Sequence, residues 1–205
     1  MSVLKAEEVT YAYKPGTRSV LDGVNLRVES GERVCLSAPS GFGKTTLCRI
    51  LAGYLQPASG VVLVDEAPLP RKGVCPVQMI WQHPEQALDP RLRIRASLLE
   101  AGPIDEDALS VLGVRPDWLS RYPRELSGGE MQRCCIARAL QSAPKFLIAD
   151  EISTMLDAIT QVQIWEALLS YCEEHEVGLV MTSHSSALVS HIATRVVDLT
   201  VQSQR

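Results

Sequence analysis

Ser37-Ala38-Pro39-Ser40-Gly41-Phe42-Gly43-Lys44-Thr45-Thr46 carries the most pointed chemistry in the sequence. An apolar run, Arg33-Val34-Cys35-Leu36, precedes it, and a helix-like segment, Leu47-Cys48-Arg49-Ile50-Leu51-Ala52, follows. A strand, a glycine-bearing loop ending in Lys-Thr and a helix together predict a phosphate-binding loop. Gly41 and Gly43 let the backbone turn its N–H groups around an anion, and the helix N-terminus adds partial positive charge. Candidate contacts therefore run through Ser40, Gly41, Phe42, Gly43, Lys44, Thr45 and Thr46. Lys44 supplies a full charge for terminal phosphates, and the Thr45 hydroxyl suits Mg²⁺. Ala38 stands where the pattern G-x-x-x-x-G-K-[ST] has its first glycine, which is tolerable provided that position does not need φ > 0.

Further along, Phe146-Leu147-Ile148-Ala149 reads as a buried strand ending in two carboxylates, Asp150 and Glu151. The C-terminal edge of a parallel sheet is where ligands bind, so a Mg²⁺-associated acid belongs there. Val177 to Thr182 is a similar strand, followed by Ser183-His184, which aims His184 at the same edge. Leu126-Ser127-Gly128-Gly129-Glu130 opens a helix with body 131–140. Ser127 and Glu130 have capping-box spacing, and two glycines leave the helix N-terminus open to an anion. Tyr13 closes a strand read over Val9–Tyr13, where its ring could stack on a base or lie half-buried.

The elements that must hold these groups are legible in outline. Val9–Tyr13, a turn at residues 14–17 and the apolar positions Leu21, Val24, Leu26 and Val28 predict an antiparallel β layer ahead of the loop. Val61–Val64 and Val77–Gln82 read as strands, residues 157–174 as a helix, and Thr194–Leu199 as the last strand. From Arg91 to Arg124 the pattern turns helical, in short pieces broken at Gly102-Pro103, Gly113 and Pro116. The expected organisation is a single domain over 1–205. Its α/β core comprises 1–82 and 144–205, and a helical subdomain, 83–143, is inserted into it.

The chain has 205 residues, enough for one substantial core, with 46% hydrophobic and 21% charged residues. A formal charge of −4 with no basic block argues against a nucleic-acid partner. No signal peptide or membrane-spanning run is visible, so a membrane role must come through a partner. Six cysteines with no C-x-x-C pair predict buried free thiols in a reducing compartment.

These segments, in this order, resemble the ATP-binding cassette (ABC) ATPases from about Val3 to Leu199. Ala38–Thr45 is similar to Walker A, Leu126–Glu130 to the signature motif, Phe146–Glu151 to Walker B, and His184 to the switch histidine. Gln82 matches the Q-loop, Leu156-Asp157 the D-loop, and Tyr13 the aromatic that stacks on adenine. The resemblance implies a P-loop NTPase fold and two chains stacked head to tail around two ATP molecules. Ser127, Gly128 and Gly129 of one chain would then contact the γ-phosphate held by Lys44 of the other. Catalytic roles fall to Glu151, as base for the attacking water, and to His184 and Gln82. Mg²⁺ would be held by Thr45, Gln82 and Asp150, while Asp157 would communicate across the dimer.

Within the family, Gln78-Met79-Ile80-Trp81-Gln82-His83-Pro84 with Leu88-Asp89-Pro90-Arg91 resembles importers of peptides and nickel. That implies permease subunits as partners, a solute-binding protein as a further candidate, and a place on the cytoplasmic face of the membrane. Ending at Arg205, the sequence shows none of the C-terminal extension common in that group. Ile152-Ser153 replaces the usual Pro-Thr after Walker B, and Thr154-Met155 replaces Ser-Ala in the D-loop. Met155, a larger residue at a dimer contact, points to a non-identical partner. Competing readings are an exporter or lipoprotein-release ATPase, a soluble ABC ATPase acting on nucleic acid or ribosomes, and a degenerate binding-only cassette. The retained Lys44, Asp150, Glu151, Ser127 and His184 argue against the last.

Overall fold

The computed structural model describes residues 1–14 and 16–202, so Pro15 of the predicted 14–17 turn lies outside the described residues. Two sheets share the work. The first is antiparallel, in the order β2-β1-β4-β5, from β1 (Val3–Tyr11), β2 (Leu21–Glu29), β4 (Ser59–Val64) and β5 (Ala67–Pro68). The second, in the order β6-β7-β8-β3-β9, comprises β3 (Arg33–Ser37), β6 (Val77–Ile80), β7 (Phe146–Asp150), β8 (Gly178–Thr182) and β9 (Arg195–Asp198). Its neighbouring strands are parallel throughout.

Strand alternation divides the interior into two apolar layers. Phe146 and Ile148 of β7, with Val180 of β8, join a core shared with the antiparallel sheet and with α1 (Lys44–Leu51). Leu147 and Ala149, with Leu179 and Met181, face the opposite core, built with α4 (Gly128–Leu140) and α5 (Ala158–Glu174). Every residue of β7 and β8 is buried, as expected of a parallel sheet covered on both faces. β-Strand side chains point alternately up and down, so four consecutive residues of β7 serve both layers.

Between β6 and β7 the chain forms only helical elements among the described residues: α2 (Ile94–Leu99), α3 (Glu106–Val111), three 3₁₀ turns and α4. Ile94, Leu98, Leu109, Leu112 and Trp118 join the layer that holds α4, so these short helices are kept by packing rather than by length. Beyond β8 lie α6 (Ser186–Ile192) and α7 (Leu199–Gln202). No described helix is long and apolar enough to cross a membrane.

The structure moves several boundaries: β6 stops at Ile80 rather than Gln82, and β4 starts at Ser59 rather than Val61. Three further shifts have a visible cause. β1 starts at Val3 and ends at Tyr11, leaving Tyr13 in the following bend. Glu8 has φ 50°, and the pairing with β2 shifts between Ala6 and Val9, so the irregularity hides the early half of the strand from an alternation pattern. The last strand stops at Asp198 rather than Leu199, because the Asp198 carboxylate accepts from Thr200 N at 2.8 Å and turns the chain into α7. Asp157 caps α5 instead of opening it, and the helix begins at Ala158.

Candidate functional site

The C-terminal ends of β3, β6, β7 and β8 deliver the candidate residues to one edge of the parallel sheet. In register, Ala149 lies beside Ile80, and Asp150 beside Thr182. β6 thus runs into Gln82, β7 into Glu151, β8 into His184 and β3 into the 38–43 loop.

The loop closes on itself. Lys44, 8% exposed, directs its ammonium to the carbonyls of Ala38 at 2.7 Å and Pro39 at 3.3 Å. Phe42 N donates to Pro39 O at 3.3 Å, and Leu47 N to Gly43 O at 2.8 Å, which starts α1. No side chain caps α1. Its first N–H groups face the loop instead, the arrangement that suits an anion. Ala38 is not among the residues with positive φ, which explains how alanine can stand there.

Gly43 is more constrained. It has φ 84°, and a Cβ there would meet Leu21 Cδ2 at 2.8 Å and Val20 O at 3.0 Å. At Gly41, with φ 83°, a Cβ would meet nothing within 4 Å. Gly43→Ala is therefore expected to lower stability by about 1–3 kcal/mol through overpacking and backbone strain. Gly41→Ala carries only the strain, and urea unfolding of the two variants measures the difference.

Asp150 is 2% exposed and accepts from Thr182 Oγ1 at 2.7 Å. The same threonine receives the Glu151 backbone N–H, at 3.0 Å on Oγ1 and 3.3 Å on its carbonyl. Sequence reading missed Thr182; its one signal was its place just before Ser183-His184. Glu151 takes φ 50°, a conformation a non-glycine residue adopts only when its surroundings enforce it. The turn swings its carboxylate back to the strand ends. Gln82 Nε2 donates to Glu151 Oε2 at 3.3 Å, and His184 Nε2 lies 2.9 Å from Glu151 Oε1. Residues from two neighbouring strand ends thus converge on the carboxylate that a third presents.

A cavity of about 350 Å³ runs from the loop to Glu151. Tyr13, Val20, Ser40, Gly41, Gly43, Lys44, Thr45, Thr46 and Glu151 line it. Tyr13 is 60% exposed, stands edge-on to Tyr11 with ring centroids 5.3 Å apart, and shares a 2.9 Å hydrogen bond with Thr46 Oγ1. One end of the ring is held while most of the side chain stays exposed. A larger cleft of about 720 Å³, between Glu8, Asn25 and Val197, contains none of these groups.

For a Mg²⁺ ion the oxygen donors fit. Among the described residues no three His, Cys, Asp or Glu side chains gather into a cluster. Mg²⁺ usually takes one or two carboxylates and completes its shell with substrate phosphates and water. Asp150, the Thr45 hydroxyl and the Gln82 amide are an oxygen set of that kind.

Ser127, Gly128 and Gly129 stand apart, and none of them lines the 350 Å³ cavity. Ser127 Oγ accepts from Glu130 N at 3.3 Å, while Glu130 Oε2 accepts from Ser127 N at 2.7 Å, completing the capping box at the start of α4. That backbone contact, aided by the Ser127 hydroxyl, holds the Glu130 carboxyl below its ordinary pKa. A Cβ at Gly128 would meet nothing within 4 Å, so the helix N-terminus is open to solvent. Asp157 accepts from Ile159 N at 3.1 Å, Thr160 N at 3.0 Å and Thr160 Oγ1 at 2.7 Å as the cap of α5. Beside it Met155 is 70% exposed.

The ABC transporter family profile matches residues 21–154. Over 226 residues the chain is 35% identical to a probable peptide ABC transporter ATP-binding protein, y4tS, of Sinorhizobium fredii, covering 95% of this chain and 63% of the relative. It is 33% identical to a probable D,D-dipeptide transport ATP-binding protein, DdpF, of Escherichia coli, covering 86% and 59%. With the nickel import ATP-binding protein NikE of Pseudomonas putida it shares 34% identity, over 96% and 82%. The chain thus spans about three fifths of the length of the first two relatives. Among solved structures, a dimeric ATP-binding cassette in a post-hydrolysis state bound to ADP and Pi superposes with a TM-score of 0.81. Its sequence identity is 26%, over 95% of this chain and 93% of that one.

Proposed function

The chain belongs to the ABC transporter family, and from that premise we propose that it is an ATP-hydrolysing subunit that drives import of peptides or nickel. The observation that carries the reading is the shared cavity: Glu151 faces Lys44 and Thr45 across it and is held by Gln82 and His184. A base, a phosphate clamp and two γ-phosphate sensors are the parts that phosphoryl transfer to water needs. The relatives named for peptide, dipeptide and nickel transport support the cargo classes.

In this reading the face of Tyr13 receives adenine, and the N–H groups from Ser40 to Thr46 wrap the phosphates. Lys44 leaves its carbonyl partners for the β- and γ-phosphates. Asp150, Thr45 and Gln82 would hold Mg²⁺, which would supply charge neutralisation at the phosphates. Glu151 orients the attacking water and accepts its proton, while His184 hydrogen-bonds the γ-phosphate. Ser127, Gly128 and Gly129 act on nucleotide bound by a second chain, identical or homologous, and Asp157 and Met155 lie on the surface the two chains share. The cassette sits on the cytoplasmic face of the membrane against permease subunits, with a solute-binding protein delivering cargo.

Phosphate release from MgATP by the purified chain tests the reading, with Lys44→Ala as the control. Lys44→Ala is expected to weaken ATP binding by about 10–100-fold, the value of a charged hydrogen-bonding partner. A wild-type chain that binds no ATP overturns the proposal.

A further inference from the structure

Thr182 closes β8, a strand whose other members, Gly178-Leu179-Val180-Met181, are apolar and fully buried. It is itself 1% exposed. A hydroxyl at that depth needs partners, and this one has two. Its Oγ1 donates to Asp150 Oδ1 at 2.7 Å and accepts from the Glu151 backbone N–H at 3.0 Å. Among the described residues no other hydrogen bond reaches the Asp150 side chain. The parallel register of β7 and β8 sets Thr182 directly beside Asp150. A β-branched side chain is stiff at χ1, so the strand fixes where the hydroxyl points.

The turn at Glu151 has further holds. Its N–H also reaches the Thr182 carbonyl at 3.3 Å, and its own carbonyl accepts from Thr154 N at 3.3 Å and Thr154 Oγ1 at 3.1 Å. Ser153, 7% exposed, accepts from Trp165 Nε1 at 3.1 Å, which ties the same turn to α5. Without the Thr182 hydroxyl the turn keeps all of these, whereas the Asp150 side chain keeps no bond to a described residue. The loss would fall on Asp150.

We propose that Thr182 is a positioning residue for the metal: its hydroxyl fixes the Asp150 carboxylate and holds it at a set spacing from Glu151. The proposal rests on the reading above, which gives Asp150 to Mg²⁺ and Glu151 to the attacking water. A hydrogen bond to a ligating carboxylate orients it and occupies one of its oxygens, and removing such an outer partner weakens metal binding by about 10–100-fold. Thr182 serves two groups at once, so the ligand and the base are aligned by one side chain.

Thr182→Val keeps the shape of the side chain and removes only the hydroxyl. Mn²⁺ suits the same oxygen donors as Mg²⁺, and its effect on water-proton relaxation reports binding without catalysis. With the β,γ-imido analogue of ATP present, Thr182→Val is expected to hold Mn²⁺ about tenfold more weakly than wild type. Affinity for the analogue in EDTA should stay within about twofold, because Lys44 and the loop are untouched. Thr182→Ser, which retains the hydroxyl, should lie within about threefold of wild type in both measurements. Turnover should follow the same order, with Thr182→Val needing about tenfold more Mg²⁺ for half of its maximal rate. A merely structural role would weaken the analogue with and without metal alike. Equal Mn²⁺ affinity in wild type and Thr182→Val overturns the proposal, as does equal weakening in Thr182→Val and Thr182→Ser. Should Thr182→Val fail to fold, Thr182→Ala takes its place under the same outcomes. A wild-type chain that binds neither the analogue nor Mn²⁺ is a separate result, which removes the nucleotide reading and this proposal with it.

Discussion

Glu151→Gln is expected to reduce ATP turnover by about 10²–10⁴-fold, the usual contribution of a positioned general base. Few substitutions in the chain should separate chemistry from folding so cleanly. Glutamine has the same shape, and its amide oxygen can still accept from His184 Nε2, which now lies 2.9 Å from Glu151 Oε1. The left-handed turn at φ 50° is held by the Glu151 backbone N–H on Thr182 and by Thr154, neither of which needs the carboxylate. Stability in urea should therefore stay within about 1 kcal/mol, the scale of one exchanged hydrogen bond, and ATP affinity should be preserved. Phosphate release over single and multiple turnovers measures the effect, and equal rates for the two proteins would remove Glu151 from the chemistry. The same variant addresses Met155. If it forms a stable ATP-bound homodimer in size-exclusion scattering, the exposed Met155 does not demand a non-identical partner.

The strand-loop-helix order around Lys44 and the buried run Phe146–Asp150 were legible in sequence because each is local. Four apolar residues ending in two acids, or glycines before Lys-Thr, carry their meaning within one short stretch of chain. What stayed hidden depends on distant partners. The loop motif asks for glycine at 43 on backbone grounds alone; that Val20 and Leu21, at the entry to β2, also come within 3.0 Å of its missing Cβ is decided by a distant part of the chain. Thr182 reads as the end of a strand, yet its hydroxyl and carbonyl set the geometry of both Asp150 and Glu151. Gln132, between Met131 and Arg133, is by its own polarity a residue for a solvated face, yet it is 2% exposed because α4 packs against β6. β1 lost its first residues to the Glu8 bulge for the same reason, since a register shift breaks the period that pattern reading needs.

The separation of Ser127 from the loop cavity leads to the second large effect. Lys44→Ala and Ser127→Asp should each abolish turnover alone, and mixing the two proteins should restore it. Aspartate is as good an N-cap as serine, so α4 and its capping box to Glu130 persist. What changes is the sign of the helix terminus, since a carboxylate there repels the γ-phosphate a second chain presents. In either variant alone, both composite sites are damaged, one through the clamp and one through the helix end. In a mixed pair, the intact Lys44 of the Ser127→Asp chain meets the intact Ser127 of the Lys44→Ala chain, while the opposite site carries both faults. Random pairing makes half of the dimers mixed, each with one of two sites whole, so an equimolar mixture should recover about a quarter of the wild-type rate if the sites act independently. Recovery should grow as the mixture is concentrated, because it depends on association, whereas a site complete within one chain would show none. If Ser127→Asp alone keeps the wild-type rate, the N-terminus of α4 does not meet nucleotide, and the cavity beside Lys44 would have to hydrolyse ATP without a second chain.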